Sequence, residues 1–239
     1  MISNHVFPQL IAIPLMISVL LLNLFSIFVT HNFTFLYYVI WLGVFGFLFL
    51  KYQGIIGDFL VRIHIPHFLK FVILGYGSVF LEEVIVALVH ALTEGFSLSR
   101  FFELVSQFYI FNFIAFTGFI LCWYFLIKYI RYSKIDLFLI VGMWGLFSEH
   151  VFGFIFSNFV MGMLLVLPTM STYNLIIAPA LLGAAKNSAK EISVWKRYVY
   201  SFLILFISSI PFIVLLVLLR SHFPAVFPSC EYIPCGFSK

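Results

Sequence analysis

The chain has 239 residues, 64% of them hydrophobic and only 9% charged, with a net charge of +4. A soluble domain carries roughly 25% charged residues, so these figures exclude an ordinary soluble protein and indicate an integral membrane protein whose first partner is the lipid bilayer. The excess of bases is small and scattered through short loops, which excludes a nucleic-acid-binding protein; there it sets membrane orientation instead.

Seven apolar runs follow in chain order, at about residues 8–30, 33–51, 70–93, 106–130, 137–157, 160–183 and 198–219. Each is near the roughly 20 residues that a transmembrane helix needs. The expected fold is all-α, a polytopic transmembrane bundle of seven helices over residues 1–221, followed by an extracytoplasmic tail at 222–239. The amino end, MISNHVF, has no basic region and no small-residue cleavage site after it, so the first run reads as a retained helix. Between the second and third runs, YQGIIGDFLVRIHIPHF (residues 52–68) alternates apolar and polar positions and reads as an interfacial amphipathic segment that Pro66 terminates.

Ten of the 13 Lys and Arg residues fall in alternate loops. Lys51, Arg62 and Lys70 lie between runs two and three. Lys128, Arg131 and Lys134 lie between four and five, and Lys186, Lys190, Lys196 and Arg197 between six and seven. Arg100, Arg220 and Lys239 are on the opposite side. The positive-inside rule then puts the amino terminus in the cytoplasm and the carboxyl tail outside, in a plasma membrane. On that side Cys230 and Cys235 of PSCEYIPCGF face an oxidising compartment, as a small disulfide loop or as two free thiols. Cys122, inside run four, is a packing residue.

The third run carries GYGSVFLEEVIVALVHALTEG (residues 75–95), with two adjacent carboxylates, Glu82 and Glu83, about 18–20 Å from Lys70 at 1.5 Å per residue. The fifth run places Glu149 and His150 about as deep. Gly142, Gly145, Glu149 and Gly153 recur at helical spacing, which predicts a close-packing face that turns Glu149 inward. Glu83, His90 and Glu94 share one face of the third run, and Ser78 and Glu82 a neighbouring one. Thr169, Ser171, Thr172 and Asn174 on run six, Ser208 and Ser209 on run seven, and Asn112 and Thr117 on run four add polar groups, most of them suited to hydrogen bonding between helices. Pro168, Pro179 and Pro211 are expected to interrupt their helices. Intramembrane ionisable groups are functional by default, so Glu82, Glu83, Glu149 and His150 are the expected catalytic centre.

Two chemistries suit it. In a hydrolase acting on a membrane protein or peptide, one carboxylate would act as general base. Glu83, Glu149 and His150 would hold a metal, Zn²⁺ first, that lowers the pKa of its bound water. In a proton- or cation-coupled transporter, midplane carboxylates near interrupted helices would bind the coupling ion, and His90, Glu94 and Asn174 would line its path. A non-catalytic scaffold subunit is the third class. The seventh run has no Lys for a retinal Schiff base.

The Glu82 and Glu83 pair, with GMWGLFSEH at residues 142–150, resembles the motifs of the CAAX prenyl endopeptidase superfamily, which includes the Abi and PrsW-type intramembrane proteases. Gly145, Phe147 and Glu149 are similar to the PrsW form of the second motif, and Leu146 and His150 to the CAAX form. The resemblance implies a glutamate-type intramembrane peptidase. The chain departs from that pattern at Val86 and Ala87, where the family has a basic residue, and offers only Asn174 towards the third motif.

Overall fold

The computed structural model describes residues 6–183 and 190–224, so Cys230, Cys235 and the tail lie outside the described residues. Those residues form an all-α protein. Among them the β-type pairing is one isolated bridge between Ile130 and Lys190. In a bilayer this is what the composition requires, because a helix satisfies its backbone polar groups internally where there is no water to do so.

The helices in order are α1 (Val6–Phe28), α2 (Leu36–Tyr38), a π-helical stretch (Val39–Gly46), α3 (Phe47–Arg62), α4 (His67–Glu94), α5 (Leu98–Tyr129), α6 (Lys134–Ser148), α7 (Val151–Ser157), α8 (Phe159–Gly183) and α9 (Val194–His222). The segments Ile11–Phe28, Leu36–Arg62, His67–Glu94, Leu98–Tyr129, Phe159–Gly183 and Val194–His222 are each long and apolar enough to cross a membrane. The pair α6 and α7 makes a seventh crossing if it is taken as one span, bent by 66°.

Four expectations change. The segment before Pro66 is not a separate interfacial helix: α2, the π-helical stretch and α3 run on from Leu36 to Arg62, because nothing in residues 47–62 interrupts the backbone ladder. The fourth helix begins at Leu98 rather than near residue 106, with Ser97 as its N-cap accepting from the Arg100 amide, so Arg100 and Glu103 lie on its first turns. The fifth run is not one straight helix. Of the three prolines expected to interrupt helices, Pro168 and Pro179 lie within the continuous α8 and Pro211 within the continuous α9.

The chain divides into two compact units, one of Met1–Gly54 with Lys134–Leu175, the other of Ile55–Ser133 with Ile176–Lys239. In the first, Leu22, Phe35, Leu146, Val151, Met161, Leu165 and Met170 form the buried core. A Cβ added to Gly142 would stand 2.6 Å from Met170 Cε, and one on Gly145 2.6 Å from Tyr173 Cδ2. These two glycines let α6 and α8 approach closely, as their spacing predicts. Gly153 has no such neighbour within 4 Å and lies past the bend, off that face. The turn from α7 to α8 is held by Asn158, whose Oδ1 accepts from the Met161 amide at 3.2 Å.

In the second unit, α4 and α5 form an antiparallel hairpin. Phe68 meets Tyr124, Tyr76 stacks on Phe113, and Phe80 meets Tyr109 edge-on. Helix α9 lies antiparallel to α5. Ser208 Oγ donates to Gly118 O at 3.2 Å, and the Arg220 guanidinium sits 4.6 Å above the Phe111 ring. The approach at Gly118 is the tightest of this unit: a Cβ there would fall 2.6 Å from Ser208 O and 2.9 Å from Ser209 Cα. Both obstacles are backbone atoms. The expected result of Gly118→Ala is therefore a lower melting temperature in detergent, with about 1–3 kcal/mol lost to overpacking. Gly77→Ala, with nothing within 4 Å, is expected to leave the melting temperature unchanged or raise it slightly through helix propensity.

Candidate functional site

Helix α6 ends at Ser148, and α7 starts at Val151. His150, between them, has φ 54° and ψ 23°, in the left-handed region. A residue there ends a helix as a C-terminal glycine usually does, and histidine enters this region more readily than most side chains. The break therefore falls at the two residues singled out in the sequence, Glu149 and His150, both exposed.

Glu149 is tied down from α8. The Tyr173 hydroxyl donates to Glu149 Oε1 at 2.6 Å, and Ser148 Oγ donates to the Tyr173 oxygen at 2.8 Å. The Tyr173 hydroxyl thus donates to the carboxylate while accepting from the serine. An ionised carboxylate accepts only, and a short bond to it is of the stronger, charge-assisted kind. The geometry depends on Gly145: Tyr173 is 5% exposed, and its ring occupies the space of a side chain at that position. Asn174, one residue on, donates to Phe138 O at 3.1 Å and to Met170 O at 2.8 Å, which braces α8 against α6.

The second unit holds the other carboxylates. Glu82 and Glu83, in the middle of α4, are 8% and 3% exposed. Asn112 of α5 donates its amide to Glu83 Oε1. Ser78 donates to its own helix, at Leu74 O. His90, half-buried, lies edge-on to Phe108 with centroids 5.5 Å apart. Glu94, at the end of α4, pairs with Arg100 at 3.0 Å, and Arg100 also reaches Glu103 at 3.1 Å. The stripe Glu83, His90, Glu94 therefore runs from a buried carboxylate to an exposed ion pair along one continuous helix.

The expected centre draws on both units. Glu82 and Glu83 belong to one, Glu149 and His150 to the other. Among the described residues no group of three or more His, Cys, Asp and Glu side chains is placed to hold a metal ion.

Two participants were not assigned a role from the sequence. Tyr173 sits inside the polar run at residues 169–174 but reads as one more aromatic residue in an aromatic-rich chain. Ser148 precedes the motif residues and passes as a small helix-packing side chain. Asn112, read in the sequence as a polar group suited to hydrogen bonding between helices, finds its partner in Glu83.

No family model, no curated protein and no solved structure matches this chain. The resemblance to the CAAX-type proteases accordingly rests on the two short motifs alone.

The pairing of Glu83 with Asn112 makes a quantitative expectation. Asn112→Ala removes a donor from a buried carboxylate and is expected to cost about 1–3 kcal/mol of stability. Glu83→Gln alone is expected to cost less, and the double variant less than the sum. Chemical denaturation of the four proteins in one detergent checks the cycle, and strict additivity would contradict the pairing.

Proposed function

We propose that the protein is a membrane transport protein that binds a proton or a cation at Glu149. The observation that carries the proposal is the interruption of an apolar span at a carboxylate held by the Tyr173 hydroxyl, which Ser148 supports. Helix α6 carries Glu149 roughly 22 Å from Lys134 at 1.5 Å per residue, within a hydrocarbon layer about 30 Å thick. Irregular backbone at such depth is tolerated where it is covered by protein or lines a water-filled cavity, and interrupted helices are where transporters bind coupling ions. Tyr173 and Ser148 fix the carboxylate and leave Glu149 exposed to take a proton or a cation. The stripe Glu83, His90, Glu94 supports a protonatable route through the other unit, with Asn174 bracing the helix that bears Tyr173. The distribution of bases supports a plasma-membrane protein with its amino end in the cytoplasm.

A glutamate-type hydrolase is the second reading. The observation that favours it is the adjacency of two exposed groups, Glu149 and His150, at a backbone break, with the Tyr173 hydroxyl directed at the carboxylate. There Glu149 acts as general base towards a water, His150 steadies the developing oxyanion, and the substrate is a membrane protein or peptide.

Purified protein reconstituted in vesicles with an internal pH-sensitive dye separates the readings. Wild type is expected to dissipate an imposed pH or cation gradient. Glu149→Gln is expected to abolish the flux, and Tyr173→Phe to reduce it about tenfold, the equivalent of one hydrogen bond to a charged group. Gradient-independent cleavage of peptide libraries, lost in Glu149→Gln and with no flux in wild type, would replace transport with hydrolysis.

A further inference from the structure

A buried polar hydrogen in a membrane interior needs an acceptor. In the unit that holds Glu149, two buried side-chain atoms have none among the described residues: Trp41 Nε1 and Thr172 Oγ1. Trp41 is 2% exposed and Thr172 5%.

These two residues lie on helices that touch. Tyr38 OH is 3.4 Å from Thr169 Oγ1, and a Cβ on Gly46 would stand 3.5 Å from Leu175 Cδ2. Trp41 falls between Tyr38 and Gly46, and Thr172 between Thr169 and Leu175. The contacts run in the same order along both helices, so Trp41 and Thr172 belong to the same stretch of one seam.

The seam has room. The segment Val39–Gly46 is π-helical, a wider winding that is rare and concentrated at functional sites. The Gly46 distance is ordinary van der Waals contact, so the helices are not pressed together there. The second unit offers a contrast. Trp123 Nε1 and Ser209 Oγ also lack partners, but their helices, α5 and α9, close to 2.6 Å at the Gly118 position.

We infer that the seam between the π-helical stretch and α8 binds a small neutral hydrogen-bond acceptor, a water molecule, through Trp41 Nε1 and Thr172 Oγ1. The indole nitrogen only donates, while the hydroxyl both donates and accepts, so the ligand must accept from Trp41 and can exchange either role with Thr172. Water does both, and buried waters characteristically satisfy groups of this kind. An anion would lack a countercharge, since residues 38–46 and 169–175 contain no Lys, Arg or His. Thr172 directly precedes Tyr173, so the site hydrates the turn of α8 that carries the donor to Glu149. The inference does not depend on whether that carboxylate serves transport or hydrolysis.

Ultraviolet resonance Raman spectra of the full chain in detergent test it through the indole N–H marker band. Subtracting the spectrum of Trp41→Phe isolates Trp41. The expected band is that of a hydrogen-bonded indole, which exchanges in deuterium oxide, persists in Thr172→Ser and moves towards the free position in Thr172→Val. A free-indole band in wild type overturns the proposal. So does a bonded band that Thr172→Val leaves in place.

Discussion

An ionised carboxylate at bilayer depth costs on the order of 2.5–3.5 kcal/mol even on the lenient insertion scale, and this chain places Glu149 at a break in an apolar span. The structure answers with a donor: the Tyr173 hydroxyl, itself supported by Ser148, reaches Glu149. Everything around that bond follows from making it possible. Gly145 clears the space for the Tyr173 ring, Gly142 lets Met170 pass, and Asn174 binds α8 to the backbone of α6. The helix gives up its regular ladder at the same place, with His150 in the left-handed conformation.

The second unit solves the same problem differently. Glu83 is buried inside an unbroken helix, and its donor is an amide on the neighbouring helix of the α4–α5 hairpin. Farther along that hairpin the acidic groups meet Arg100 instead, at the exposed end. One carboxylate is thus enclosed in a packed seam while another stands at an irregular, exposed turn. Binding and releasing a proton or cation needs access, and Glu149 at the break is the more exposed of the two residues. For this reason Glu149 carries the proposed function and Glu83 contributes a supporting role.

Much of the architecture was legible because lipid imposes a simple rule on composition. Long apolar runs mark the helices, and the seven runs correspond to six long helices and one bent pair. The glycine spacing on α6 foretold a close-packing face, and at residues 142 and 145 that face meets α8. What could not be read follows from physical causes. The break at Glu149 and His150 contains neither glycine nor proline, so no breaker residue announces it. The prolines of α8 and α9, which do carry that signal, are accommodated without ending their helices. The extension of the second helix to Arg62 passes through a polar stretch that hydropathy assigns to an interface. Tyr173 was hidden because an aromatic side chain on an apolar helix gives no sign that its hydroxyl has a charged partner.

The central claim is that the fifth span is interrupted at Glu149 and His150. Hydrogen–deuterium exchange of the protein in lipid nanodiscs tests it directly, since the first amides of a helix lack intrahelical acceptors. The account predicts fast exchange at Val151 and Phe152, beside slow exchange at Val141 and Trp144 in the packed part of α6. Uniformly slow exchange across residues 138–157, as in one continuous helix, would contradict it.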